Sequence, residues 1–93
     1  GAEALPCRLR LELDELVQTF DAPQASRLVL AARARMLCRG EQAQAARSFT
    51  VERPAGSDAQ GGVAAAAAAV EELGKQLAAW VAAEKSALAT RRD

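Results

Sequence analysis

Few residue types that could carry covalent or metal chemistry occur in this sequence of 93 residues. It holds two cysteines, Cys7 and Cys38, and no histidine. A nucleophilic cysteine needs a neighbouring base, which is most often an imidazole. Two cysteines far apart in sequence also fall short of the four ligands of a structural zinc site. We therefore predict that the protein is not an enzyme and binds no metal and no cofactor.

Charged residues are balanced overall but not along the chain. The twelve basic and twelve acidic residues cancel, which argues against a nucleic-acid binder. Residues 22–48 nevertheless contain one acid, Glu41, and five arginines: Arg27, Arg33, Arg35, Arg39 and Arg47. These arginines could bind an acidic partner or a phosphate-bearing surface. On a helix they would point in several directions, so we favour a solvated face with internal ion pairs.

The first predicted element is a helix over residues 5–20. Leu9, Leu13, Leu16 and Phe20 follow one another at spacings of four, three and four, which places them on one stripe of a helix. Pro6 lies in the first turn, where proline is tolerated. This stripe faces either the core of the protein or a partner.

Residues 13–20 (LDELVQTF) resemble the LD motif of paxillin-like adaptors, L-D-x-L-L-x-x-L. Val17 and Phe20 replace two of the leucines of that motif. The resemblance implies an amphipathic helix that lies in a groove of a helical bundle. A stripe facing the core would explain the same leucines.

A second helix is predicted over residues 22–48. Asp21 and Gln24 have the spacing of a capping box, and Pro23 fits the first turn. Gly40 could end this helix or lie within it. Because the turn at Asp21 is short, the first two helices must be antiparallel neighbours. Cys7 and Cys38 would then lie at the same level, where both a disulfide and two free thiols remain open.

The third predicted helix covers residues 63–90 and follows a flexible loop over residues 50–62, which is rich in glycine and proline. Ser57 or Asp58 is a candidate N-cap. The apolar positions of the helix alternate spacings of three and four, as in a heptad repeat: Val63, Ala66, Val70, Leu73, Leu77 and Trp80. The longest apolar run, residues 63–70, is too short to span a bilayer.

Together these patterns predict an all-α fold in one domain over residues 1–93. It is either an antiparallel three-helix bundle or a helical hairpin whose long third helix completes a four-helix bundle by self-association. The predicted function is a non-catalytic interaction module of an intracellular, cytoplasmic scaffold or adaptor. The alternative is a homo-oligomerisation domain that uses the heptad seam as a coiled coil.

The predicted partners are an amphipathic helix or helical bundle of another protein, a second copy of the chain, or both. We predict no nucleic acid, no membrane span and no small-molecule substrate. The predicted partner-binding residues are large apolar side chains of the first and third helices: Leu13, Leu16, Phe20, Val70, Leu73, Leu77, Trp80 and Val81.

Overall fold

A computed structural model describes the backbone of residues 7–38 and 45–92 and the side chains of 7–38 and 45–87. Three strands, β1 (Cys7–Ala22), β2 (Ala25–Cys38) and β3 (Ala45–Pro54), precede one helix, α1 (Ala59–Arg92). The strands form an antiparallel sheet in the order β1-β2-β3. Helix α1 packs on one face of this sheet, against β2 and β3. The predicted all-α fold, with its three-helix or four-helix bundle, is therefore wrong.

Strand β2 lies at the centre of the sheet and alternates between buried and more exposed side chains. Every even-numbered residue from Ser26 to Cys38 is buried, and the odd-numbered residues between them are more exposed. This period of two is that of a strand with one covered face. The helix predicted over 22–48 is wrong because alanines at both kinds of position hide the alternation. Gly40, where the end of that helix was left open, lies outside the described residues.

Strand β1 contains a bulge that imitates helical spacing. Leu9, Leu11 and Leu13 alternate along one face, and Asp14 is then inserted as an extra residue opposite β2. The bulge reverses the alternation, so Leu16, three positions after Leu13, returns to the same face. The spacing of three is therefore produced by a bulged strand, and the helix predicted over 5–20 is wrong.

The inserted Asp14 is bound by an arginine of the neighbouring strand. Arg33 donates from Nε to Oδ2 of Asp14 at 2.9 Å and from Nη2 to Oδ1 at 2.9 Å. The same Nη2 also donates to Oε2 of Glu12 at 3.1 Å. The hydrogen bonds and charge of Asp14, and then the charge of Glu12, raise the pKa of Arg33 above its ordinary value. This exposed pair orients the bulge more than it stabilises the fold.

The hairpin of β1 and β2 brings the two cysteines together. The strands are joined through Pro23 and Gln24, and their register places Cys7 opposite Cys38. The two sulfurs form a disulfide, with the Cα atoms 4.0 Å apart. The prediction that these segments are antiparallel neighbours with both cysteines at one level is confirmed, although the segments are strands. The sequence left open a disulfide or two free thiols, and the structure contains the disulfide.

The connection from β3 to α1 is shorter than the loop predicted over 50–62. Gly56 has a φ of 76°, a conformation that glycine adopts without strain. Ser26 Oγ donates to the carbonyl oxygen of Gly56, and the amide of Ala55 donates to the carbonyl of Ser26 at 3.0 Å. Asp58 Oδ1 accepts from the amide of Gly61 at 2.7 Å, which confirms Asp58 as the N-cap of the helix.

The core lies between α1 and the strands β2 and β3. Ala65 and Ala69 are buried on the inner side of α1, so the small side chains let the helix approach the sheet closely. Trp80 meets Phe49 of β3 edge to face, with ring centroids 6.0 Å apart. Much of the predicted heptad seam is therefore used inside the domain, against the sheet.

Removal of the disulfide tests how strongly it holds β1. We expect the double substitution Cys7→Ser and Cys38→Ser to lower the free energy of unfolding by about 3–4 kcal/mol, because the crosslink restricts the unfolded chain. Urea unfolding measures the change. The wild-type chain in reducing buffer is the control and should match the variant, and equal midpoints for variant and oxidised wild type would contradict the expectation.

Two glycines of α1 form a matched pair for testing how tightly its first turn packs against the connection from β3. A Cβ at position 61 would overlap the carbonyl oxygen of Ala55, whereas one at Gly74 would have nothing within 4 Å. We expect Gly61→Ala to destabilise the fold by about 1–3 kcal/mol. Gly74→Ala should stabilise it by about 0.5–1 kcal/mol, because alanine favours the helix. Thermal unfolding that moves in the same direction for both variants would refute this packing.

Candidate partner-binding surface

One flank of α1 faces β3 and the other faces β1. Glu72 forms an ion pair with Arg53 of β3 at 3.6 Å, which identifies the flank on the β3 side. At 3.6 residues per turn, the large apolar residues of the opposite flank lie about 140–180° around the helix from Glu72. They are Val63, Val70, Leu77 and Val81. Leu77 and Val81 are partly buried against the core, whereas Val63 and Val70 are 71% and 55% exposed.

The helix-side face of β1 is apolar and uncovered. Its residues lie opposite buried residues of β2 and so point to the same side of the sheet as α1. Because α1 packs over β2 and β3, the large apolar side chains on this face of β1 remain between 43% and 59% exposed. We call this set the open β1 surface: Leu9, Leu11, Leu13, Leu16 and Phe20. With the apolar flank of α1 it forms the two sides of the β1–α1 cleft.

Gln18 lies on the same face of β1 and divides the cleft between Leu16 and Phe20, near the end where the hairpin turns. Its Nε2 donates to Ser26 Oγ at 2.9 Å and to the carbonyl oxygen of Asp58 at 3.5 Å. Its Oε1 occupies the space that a Cβ on Gly62 would need. One polar side chain thus joins β1 to β2 and to the start of α1, and the cleft is apolar beyond it.

Strand β1 is also an edge of the sheet. Within residues 7–38 and 45–92, no strand pairs with its outer side. The backbone N–H and C=O groups on that side can therefore receive another strand. The same element offers backbone hydrogen bonds along its edge and apolar side chains on its face.

The eight residues predicted to bind a partner fall in three places. Leu13, Leu16 and Phe20 belong to the open β1 surface, but on a strand and not on the helix that the LD motif requires. Val70, Leu77 and Val81 lie on the flank of α1 that faces it. Leu73 and Trp80 are in the core, 7% and 5% exposed. Whether any of them binds a partner stays a prediction.

Three apolar residues of the cleft were not assigned to it from the sequence: Leu9, Leu11 and Val63. The alternation of Leu9, Leu11 and Leu13 at a period of two is the signal that would have found the first two. It was outweighed by the spacing of three between Leu13 and Leu16, which the bulge creates and which completes a helical pattern. Val63 belongs to the predicted heptad seam, but among the large apolar side chains of residues 7–38 and 45–87 it is the most exposed.

The described residues contain neither a helix with the length and hydrophobicity needed to cross a membrane nor a group of three metal-ligating side chains. What they do contain is an uncovered apolar strand at a sheet edge. A surface of this kind is typical of a protein that associates with another molecule. The fold is thus that of a small α+β domain with an exposed apolar edge strand.

Comparison with family models identifies the family of this domain. The model for the ABC-type transport auxiliary lipoprotein component matches residues 4–78, well over half of the chain. The chain therefore belongs to this family. No curated protein and no solved structure matches it.

The family and the sheet overturn the predicted function and location. The chain is not an intracellular helical scaffold or adaptor, and the alternative of a coiled-coil oligomerisation domain is also wrong, because β strands replace the helices on which both were based. The cytoplasmic location is wrong because the family is one of lipoproteins, which are associated with membranes. The short apolar runs and the balanced charge of the sequence do not indicate an association with a membrane.

Proposed function

We propose that this chain is a non-catalytic auxiliary component of an ABC-type transport system and that it binds a protein of that system through the β1–α1 cleft. Family membership supports a transporter as the partner. The observation that carries the proposal is the open β1 surface, where five large apolar side chains are about half exposed along one strand.

The size of this surface suits weak, reversible association. Full burial of a leucine or phenylalanine contributes about 1.5–3 kcal/mol, so covering five half-exposed side chains would contribute about 5 kcal/mol. The loss of free motion on association costs about 4–15 kcal/mol. Backbone hydrogen bonds along the edge of β1 would add to the apolar contact. Confinement of both partners to one membrane would raise their effective concentration.

We further propose that the chain contributes binding and no catalysis. Its two cysteines are joined in a disulfide, and the sequence has no histidine to act as a base. Disulfides persist in oxidising compartments. The Cys7–Cys38 bond therefore supports a site of action outside the cytosol, in agreement with a lipoprotein family.

Crosslinking in the source cell tests the identity of the partner. A photo-reactive amino acid at position 11, in the open β1 surface, should crosslink to a subunit of an ABC-type transport system, identified by mass spectrometry. The same amino acid at position 50, which is exposed on the face of β3 that points away from α1, is the matched control. Crosslinks from position 11 that contain no transport subunit would reject the proposed partner.

Charge substitution on β1 tests the surface itself. We expect Leu11→Glu with Leu13→Glu to weaken binding to the crosslinked subunit by about 30-fold or more, because two apolar contacts of about 1 kcal/mol each are lost. Isothermal titration calorimetry on purified proteins measures this change. Ser48→Glu with Thr50→Glu adds the same charge on the opposite face, and an equal loss in that variant would show that charge, not the cleft, governs binding.

A further inference from the structure

The strand fold gathers arginines that a helix would have scattered. The odd-numbered residues of β2 point away from α1, and so do the residues of β1 that lie opposite them. We call this side the outer face of the sheet. Five arginines of β1 and β2 lie on it: Arg8, Arg10, Arg27, Arg33 and Arg35. The phosphate-bearing or acidic surface considered for the arginine-rich segment therefore has a definite location.

Two of these arginines are neutralised within the domain. Arg27 forms ion pairs with Asp21 at 3.3 Å and with Glu52 at 2.5 Å. Arg33 is bound by both Asp14 and Glu12. Asp21, Glu52, Asp14 and Glu12 are thus already used. Glu15, opposite Ala31 on the same face, forms no ion pair with a described residue, but it lies five positions along β1 from Arg10.

The positive charges of the remaining three arginines are hardly compensated by acidic side chains. Arg8 and Arg35 form no ion pair with any residue in the described part of the chain. Arg10 reaches Glu12 at 3.3 Å, but Glu12 is shared with Arg33. We call these three residues the Arg8–Arg10–Arg35 cluster. It carries excess positive charge at the end of the sheet near the disulfide.

The register places the cluster in a small area. Arg10 is directly opposite Arg35, and Arg8 is one step along the diagonal. Cβ atoms of directly opposed residues are about 4.5–5.5 Å apart, and diagonal neighbours are about 7–8 Å apart. Like charges in direct opposition destabilise a sheet. An anion between the guanidinium groups would relieve this repulsion, and guanidinium groups bind phosphate in a bidentate manner.

We propose that the outer face of the sheet at this end docks on an anionic membrane, with the Arg8–Arg10–Arg35 cluster in contact with lipid phosphates. Leu37 lies opposite Arg8 on the same face and is 41% exposed. An apolar side chain among arginines fits the boundary between headgroups and acyl chains. The open face of a sheet offers a broad area to a membrane, and the chain belongs to a lipoprotein family.

This docking surface is separate from the β1–α1 cleft. The cleft lies on the side of the sheet that carries α1, and the cluster lies on the opposite side. A membrane and a protein partner could therefore be bound at the same time. The two proposals also fail separately, because Leu11→Glu with Leu13→Glu leaves the cluster intact and should lower membrane binding no more than a few fold.

Vesicle co-sedimentation of the 93-residue chain tests the proposal. The chain should sediment with vesicles of phosphatidylcholine and phosphatidylglycerol in equal parts and not with vesicles of phosphatidylcholine alone. Binding should weaken as salt rises, because salt screens exposed charges. Equal binding to both vesicles, or binding that is insensitive to salt, would overturn the proposal.

Substitution of the cluster locates the contact. We expect Arg8→Gln, Arg10→Gln and Arg35→Gln together to lower the vesicle partition coefficient about 100-fold, at about fivefold for each basic residue near the membrane surface. Arg27→Gln, Arg53→Gln and Lys75→Gln remove the same charge elsewhere and should lower it only a few fold. Circular dichroism checks that both variants are folded.

An acidic protein is the alternative source of negative charge. Poly-L-glutamate in solution is the probe for it. If the chain binds poly-L-glutamate through the cluster and does not bind the anionic vesicles, the surface serves an acidic protein partner and the membrane proposal is wrong. An equal loss of vesicle binding in the two triple variants would also overturn it, because net charge alone would then explain the binding.

Discussion

The width of a single helix limits how much of this sheet can be covered. An α-helix with its side chains is about 10–12 Å across, and adjacent strands are about 4.8 Å apart, so one helix covers about two strands. Helix α1 lies on β2 and β3, and alanines on its inner side keep it close to them. The apolar face of β1 is therefore left open. The candidate binding surface exists because, within residues 7–38 and 45–92, a three-stranded sheet is covered on that side by one helix.

The topology was partly predictable from local signals. The turn after Asp21, the level of Cys7 with Cys38 and the cap at Asp58 all follow from short-range chemistry. The final helix was also predicted, although it begins at Ala59 and not at residue 63, so the glycine pair lies inside it. The nature of the first two elements did not, because the bulge at Asp14 converts an alternation of two into helical spacing. In β2, alanine occupies both faces, and a side chain with one methyl group marks neither face as apolar.

The assignment of a helical period to β1 and β2 also explains why the sequence did not show which residues share each surface. On a helix, Leu9 and Leu11 lie on different faces and the arginines of residues 27–35 diverge. On strands, the leucines of β1 align on one side and the arginines of β1 and β2 on the other. Individual residues such as Leu13, Leu16 and Phe20 could be singled out from their size alone. Which of them share a face depends on knowing that the element is a strand.

Strand β1 is held to its neighbours at both of its ends, and its outer edge is unpaired within the described residues. Gln18 ties it to the start of α1 at one end, and the disulfide ties it to β2 at the other. Between these two ties, the backbone ladder to β2 is the main attachment of the strand. A molecule that lies along the outer edge of β1 can thus arrive and leave without peeling the strand from the sheet. The outer edge of β1 can therefore bind and release a strand repeatedly while the sheet stays intact.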